Sequence, residues 1–143
     1  MAEHTVTTVY KKGMQFETDS PTGYSTLIDT SPENGGANDG MGPKALMLSA
    51  LAGCTGLDIV FVLKKMRVDV PHFKMVVQGK LTETHPKTYH TVTLDYHFYG
   101  KNLKEDKIQK AVDLSSEEYC GVMEMFRQFS TLQIGVHFHE SEA

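Results

Sequence analysis

Pro43-Lys44-Ala45-Leu46-Met47-Leu48-Ser49-Ala50-Leu51-Ala52-Gly53-Cys54-Thr55-Gly56-Leu57-Asp58-Ile59-Val60 is the stretch on which the fold turns. Proline suits the first position of a helix, where its missing N–H does no harm. The apolar run predicts that the helix continues to about Met66, a length of roughly 36 Å at 1.5 Å per residue. Lys64, Lys65 and Arg67 at its far end suit the negative pole of the helix dipole. Ala45 to Leu63 is 19 residues with one charge, Asp58. That is long enough to cross a bilayer, but a mid-helix aspartate costs on the order of 2.5–3.5 kcal/mol in lipid. A helix apolar on nearly all sides serves equally well as the buried centre of a soluble domain. The small pairs Ser49/Gly53 and Ala52/Gly56 would let another backbone approach one side closely.

On the N-terminal side, Thr5 to Tyr10, Met14 to Thr18 and Tyr24 to Asp29 read as short strands joined by turns at Lys12-Gly13 and Ser20-Pro21-Thr22-Gly23. Ser31 to Gly42 carries four glycines and reads as a flexible connector. It lacks the Gly-Lys-Ser/Thr ending of a phosphate loop. On the C-terminal side two segments alternate. Phe73, Met75, Val77, Gly79 and Leu81 share one face, and so do Val92, Leu94, Tyr96 and Phe98. They predict a long antiparallel hairpin with one wet face. Lys104 to Glu118 reads as a helix with an inner stripe of Ile108, Ala111, Val112 and Ser115. Helix continues over Val122 to Phe129, and Leu132 to Glu140 is a last strand. Strands in runs rather than in strict alternation with helices give an α+β class. The chain reads as a single domain, residues 1–143.

Composition narrows the function classes. A chain of 143 residues with 40% hydrophobic and 22% charged residues is an ordinary globular domain. It is long enough to bury roughly 68–70% of its unfolded surface. A net charge of −4 gives no electrostatic reason to bind nucleic acid or an anionic membrane. Two cysteines are too few for a disulfide-stapled secreted scaffold. The first residues lack the basic and apolar regions of a signal peptide. A cytoplasmic, reducing location is expected.

The chemistry-bearing residues are those two cysteines. Cys54 sits within the apolar helix, and Cys120 follows the acidic segment Leu114-Ser115-Ser116-Glu117-Glu118-Tyr119. Brought together, they would make a two-thiol redox site; apart, two inert sulfurs. Other clusters are weaker. His137 and His139 share one strand face, which permits metal ligation, but no third ligand is placed by sequence. Glu117 and Glu118 read as solvated helix charges.

The Pro43–Asp58 stretch resembles the central helix of the OsmC/Ohr family, osmotically inducible protein C and organic hydroperoxide resistance proteins. Ala111-Val112-Asp113-Leu114-Ser115-Ser116-Glu117-Glu118-Tyr119-Cys120-Gly121-Val122 resembles that family's second cysteine segment. The likeness is greatest to the uncharacterised OsmC-like branch and covers nearly the whole chain. It implies an OsmC-like fold: an intertwined homodimer with long buried central helices wrapped by antiparallel β-sheets. It also implies catalytic roles, with Cys54 attacking an organic hydroperoxide and Cys120 resolving the product. A dithiol reductant would complete the cycle, and no metal, flavin or haem would be required. Leu51, Leu57 and Phe61 would build an apolar pocket around Cys54.

The likeness departs at the groups that activate the first cysteine. In the peroxidases of the family an arginine from an N-terminal strand does so, held by a glutamate just after the helix proline. Here residues 1–42 contain no arginine, and Lys44 stands at the glutamate position. Asp58, one helical turn after Cys54, would disfavour the thiolate if it faces the sulfur. Lys44, about 15 Å away along the helix, and Arg127 are the substitutes available within the chain. Two further readings therefore stand beside the peroxidase. One is a non-catalytic dimer that binds a small hydrophobic ligand. The other is a thiol sensor without rapid turnover.

Overall fold

The computed structural model describes residues 2–141. The chain groups into two compact units, residues 1–47 and 48–143.

In the first unit, β1 (Thr7–Lys12), β2 (Gln15–Asp19) and β3 (Ser25–Ile28) form an antiparallel sheet in the order β1-β2-β3. The glycine-rich segment after β3 is not the flexible connector expected from composition. It is wrapped around one buried carboxylate. Asp29 accepts backbone N–H bonds from Thr30 (2.7 Å), Ala37 (3.3 Å) and Asp39 (3.0 Å). Gln15 in turn donates to Asp39 at 2.7 Å. The Asp39 and Thr30 amides, the strongest influences, hold the Asp29 carboxyl below the usual aspartate range. Gly36 and Gly40 stand where the returning chain touches its own backbone. A Cβ on Gly36 would meet the Thr30 carbonyl, and one on Gly40 the Leu27 carbonyl. These glycines serve close approach rather than freedom.

The helix α1 (Pro43–Met66) has the predicted bounds. Its buried residues include Leu51, Thr55, Ile59 and Leu63, four apart, together with Val62 and Gly56. Among the described residues it alone is long and apolar enough to cross a bilayer. Its stripe instead packs into the core of residues 48–143.

That core is closed by β4 (His72–Leu81), β5 (Tyr89–Tyr99) and β6 (Thr131–His139) in the order β4-β5-β6. The β4–β5 hairpin is antiparallel, with Val77 opposite Leu94, and its faces alternate as the sequence predicts. Val92, Leu94, Tyr96 and Phe98 point inward and are buried. Two expectations need correction. The sheet is not wholly antiparallel, because β6 runs parallel to β5 with Tyr96 opposite Val136. The connection between them runs through helices, and such a crossover returns the chain in the same direction. Nor does the α-helix predicted over Lys104 to Glu118 keep its form to the end. The helix α2 (Glu105–Leu114) widens into a π-turn at Ser115–Tyr119, closed by Cys120 N–H donating to the Ser115 carbonyl at 2.8 Å. Cys120 is extended (φ −80°, ψ 99°), and α3 (Gly121–Arg127) starts after it.

Within the single chain, α1 is buried on one side only. Leu57 is 75% and Phe61 58% exposed.

Candidate functional site

Three elements meet where α1 crosses the end of α2 and the middle of β5. Cys54 and Asp58 stand one turn apart on α1 and so share a face. The break in helix after the π-turn presents Cys120 to them. The two sulfurs and a carboxylate oxygen of Asp58 all lie within 4.8 Å of one another. Both thiols are free. Cys120 is buried, whereas Cys54 and Asp58 are half-buried.

Beneath this cluster runs a chain of hydroxyls that sequence reading did not assign to the site. Ser115 Oγ donates to Asp58 Oδ2 at 2.9 Å. Thr55 Oγ1 lies 2.7 Å from Ser115 Oγ and 2.7 Å from Tyr96 Oη. Each hydroxyl has one proton to give, and an ionised carboxylate only accepts. With Asp58 ionised, the direction of every bond is therefore set: Tyr96 donates to Thr55, Thr55 to Ser115, and Ser115 to Asp58. Burial pushes the Tyr96 hydroxyl up to about 12, which keeps its proton in place as the head of the chain. Each of these residues was visible as an inward position. Thr55 lies between Leu51 and Ile59 on the apolar stripe, Ser115 on the inner stripe of α2, and Tyr96 on the inner face of β5. A buried hydroxyl needs a partner, and that was the available signal.

The surroundings act strongly on the Cys120 thiol. Burial is the main cause that pushes the Cys120 thiol up to about 12. The Met123 N–H, 3.4 Å from its sulfur, opposes the rise. Hydrogen bonding with Cys54 and the charges of Cys54 and Asp58 add to it. Cys120 is thus held as a neutral thiol. Asp58 does face the sulfurs, as its spacing from Cys54 allowed. Among the described residues no ion pair engages Asp58.

The other predicted residues take no part in this cluster. Lys44 lies exposed in the first turn of α1, in the first compact unit. The Arg127 guanidinium is engaged by Glu124 at 3.0 Å and by the carbonyl and hydroxyl of Ser116. It therefore clasps the π-turn from outside, and its charge is not among those acting on Cys120. Leu51 is buried in the core, whereas Leu57 and Phe61 stand in solvent in the single chain.

On the outer face of the sheet, a third histidine joins the two that the sequence singled out. His97 Nδ1 is 3.0 Å from His139 Nε2, and its ring stacks on His137. His137 Nε2 is 2.9 Å from Asp95 Oδ1.

The sequence profile described as OsmC-like protein matches residues 36–134. Protein YhfA of Escherichia coli K12 is 30% identical over 118 residues, which cover 82% of this chain and 84% of that protein. Among solved structures, a hypothetical protein from Aquifex aeolicus VF5 superposes with a TM-score of 0.85 at 28% identity. The match covers 99% of this chain and 100% of that one. An organic hydroperoxide resistance protein OsmC from Legionella pneumophila gives a TM-score of 0.70 over 96% of this chain and 98% of its own. Its 17% identity carries the fold alone.

Proposed function

Because the chain belongs to the OsmC-like protein family, we propose that it reduces organic hydroperoxides through a Cys54/Cys120 dithiol–disulfide cycle. The observation that carries this reading is the approach of the two sulfurs to within 4.8 Å. The two thiols also differ as the two roles require. The attacking group must be a thiolate reachable by substrate, which suits half-buried Cys54. Cys120, buried and held neutral, suits the resolving role.

The Cys54 thiolate attacks the outer peroxide oxygen, the O–O bond breaks, and the alkoxide leaves and takes a proton as alcohol. Cys54 is then a sulfenic acid. Cys120 attacks that sulfur, its proton leaves with the hydroxyl as water, and a disulfide forms. A small dithiol reductant restores both thiols by exchange. The Cys120 proton departs with the water, so its raised pKa is compatible with this step.

A homodimer is part of the proposal. The exposed Leu57 and Phe61 on α1 are the apolar face that a second copy would cover, completing an apolar wall near Cys54. The cytoplasm is the compartment that keeps such a pair reduced.

Steady-state turnover tests the proposal, with cumene hydroperoxide or hydrogen peroxide and a dithiol. The expected result is dithiol-dependent turnover that prefers the organic peroxide, abolished in Cys54→Ser. In Cys120→Ser the enzyme should stall with a trapped sulfenic acid. Turnover unaffected by either replacement overturns it. That no ion pair engages Asp58 among the described residues favours a second reading, a thiol sensor. It would give one stoichiometric oxidation without multiple turnovers.

A further inference from the structure

The thiol site is a concentration of potential anions. Cys54, Cys120 and Asp58 bring three ligand atoms together within 4.8 Å, and no lysine or arginine among the described residues pairs with Asp58. We infer that Cys54, Asp58 and Cys120 form a binding site for one thiophilic divalent cation, of which zinc is the type. This goes beyond the peroxide chemistry and stands independently of it.

The donor set fits the ion. Zinc takes sulfur at about 2.3 Å and carboxylate oxygen at about 2.0–2.2 Å in a tetrahedral arrangement. Those bond lengths put neighbouring ligand atoms about 3.6–3.8 Å apart. A closure of about 1 Å at most separates the observed cluster from that geometry. Two thiolates select a soft or borderline cation over magnesium or calcium. Three protein ligands leave the fourth tetrahedral position for water or an incoming molecule.

The surroundings are those of a held ligand set. The helix fixes Cys54 and Asp58 on one face. Ser115 donates to Asp58 Oδ2, and the carboxylate keeps lone pairs free for the metal. Thr55 and Tyr96 extend that support inward. The Met123 N–H directed at the Cys120 sulfur is a donor that a metal-bound thiolate accepts well. Such outer hydrogen bonds orient ligands and add to metal affinity. The histidine cluster on the outer sheet face is a poorer candidate. His97 and His139 already bond each other, and His137 is taken by Asp95.

The test uses the full chain, reduced with a non-thiol reductant under anaerobic conditions and titrated with cobalt(II) as the probe. The expected result is one cobalt per chain, with the thiolate-to-metal charge-transfer band of a sulfur-ligated tetrahedral ion. Zinc should displace it. Cys54→Ser and Cys120→Ser should each lose the band, and Asp58→Asn should weaken binding at least tenfold. Circular dichroism of the metal-free variants establishes that they are folded. A His97→Ala/His139→Ala variant should bind as the parent does. Absence of the band in the parent chain, or a band that survives replacement of both cysteines, overturns the inference. Peroxide turnover without cobalt binding sinks this inference alone; cobalt binding without turnover sinks the peroxidase alone.

Discussion

Replacing Thr55 with valine removes the middle hydroxyl of the Tyr96–Thr55–Ser115–Asp58 chain and keeps the shape of the side chain. Thr55 and Tyr96 are both 0% exposed, so no water can take over. Tyr96 then holds a buried O–H without an acceptor, which costs about 1–3 kcal/mol. The Ser115 oxygen loses an incoming donor but keeps its own bond to Asp58, a smaller loss. Thr55→Val should therefore destabilise by about 1–3 kcal/mol. Tyr96→Phe alone removes only a donor and leaves an oxygen that still donates onward, so about 0.5–1.5 kcal/mol is expected. A double-mutant cycle isolates the coupling between the two hydroxyls. In the valine background the tyrosine hydroxyl is a liability, so adding Tyr96→Phe should be neutral or stabilising. Urea unfolding at fixed protein concentration measures all four states. If the two changes add within about 0.5 kcal/mol, the hydroxyls do not form the directed chain described here.

Leu57→Asp combined with Phe61→Asp should convert a dimer to monomer by light scattering. Two fully buried apolar side chains contribute about 3–6 kcal/mol, and an unchanged dimer would remove this face of α1 from the interface. Gly79→Ala should lower the urea midpoint by about 1–3 kcal/mol of stability. Its Cβ would lie 2.5 Å from the Tyr89 ring, which is buried and closes that face of the sheet; a variant as stable as the parent refutes that packing. Asp29→Asn should destabilise the chain at neutral pH, because Asp29 is a depressed carboxyl that stabilises in its ionised form. Its contribution is present above the ordinary aspartate value of about 3.9 and is lost as pH falls through the lower folded value. The gap between parent and variant should close over that acid range, and a gap independent of pH contradicts the role.

The parts of the fold that repeat with a period were legible in the sequence. Phe73 to Leu81 and Val92 to Phe98 alternate because each set faces one core, and the apolar run from Ala45 to Leu63 marks the central helix. Features set by tertiary contact were not legible. Ser116-Glu117-Glu118 carries good helix formers, so nothing local marks the π-turn that ends at Cys120. The direction of β6 depends on how α2 and α3 return the chain, and its own residues do not encode that. Residues 31–42 looked loose because glycines that permit freedom and glycines that permit close contact are the same letters; the buried Asp29 carboxylate distinguishes them. At the site, Cys54, Cys120 and Asp58 were named from spacing and resemblance. Ser115 and Tyr96 read as inward positions, but their link through Thr55 is not legible, since pairing across α1, α2 and β5 exists only once those elements pack.

Intact-mass analysis with peptide mapping decides whether Cys54 and Cys120 act as a pair. The reduced chain is treated with one equivalent of cumene hydroperoxide. The expected result is loss of two hydrogens per chain with a single Cys54–Cys120 disulfide, and neither change occurs in Cys54→Ser. Unchanged thiols, or oxidation that stops at separate sulfenic or sulfinic acids on the two cysteines, would contradict it.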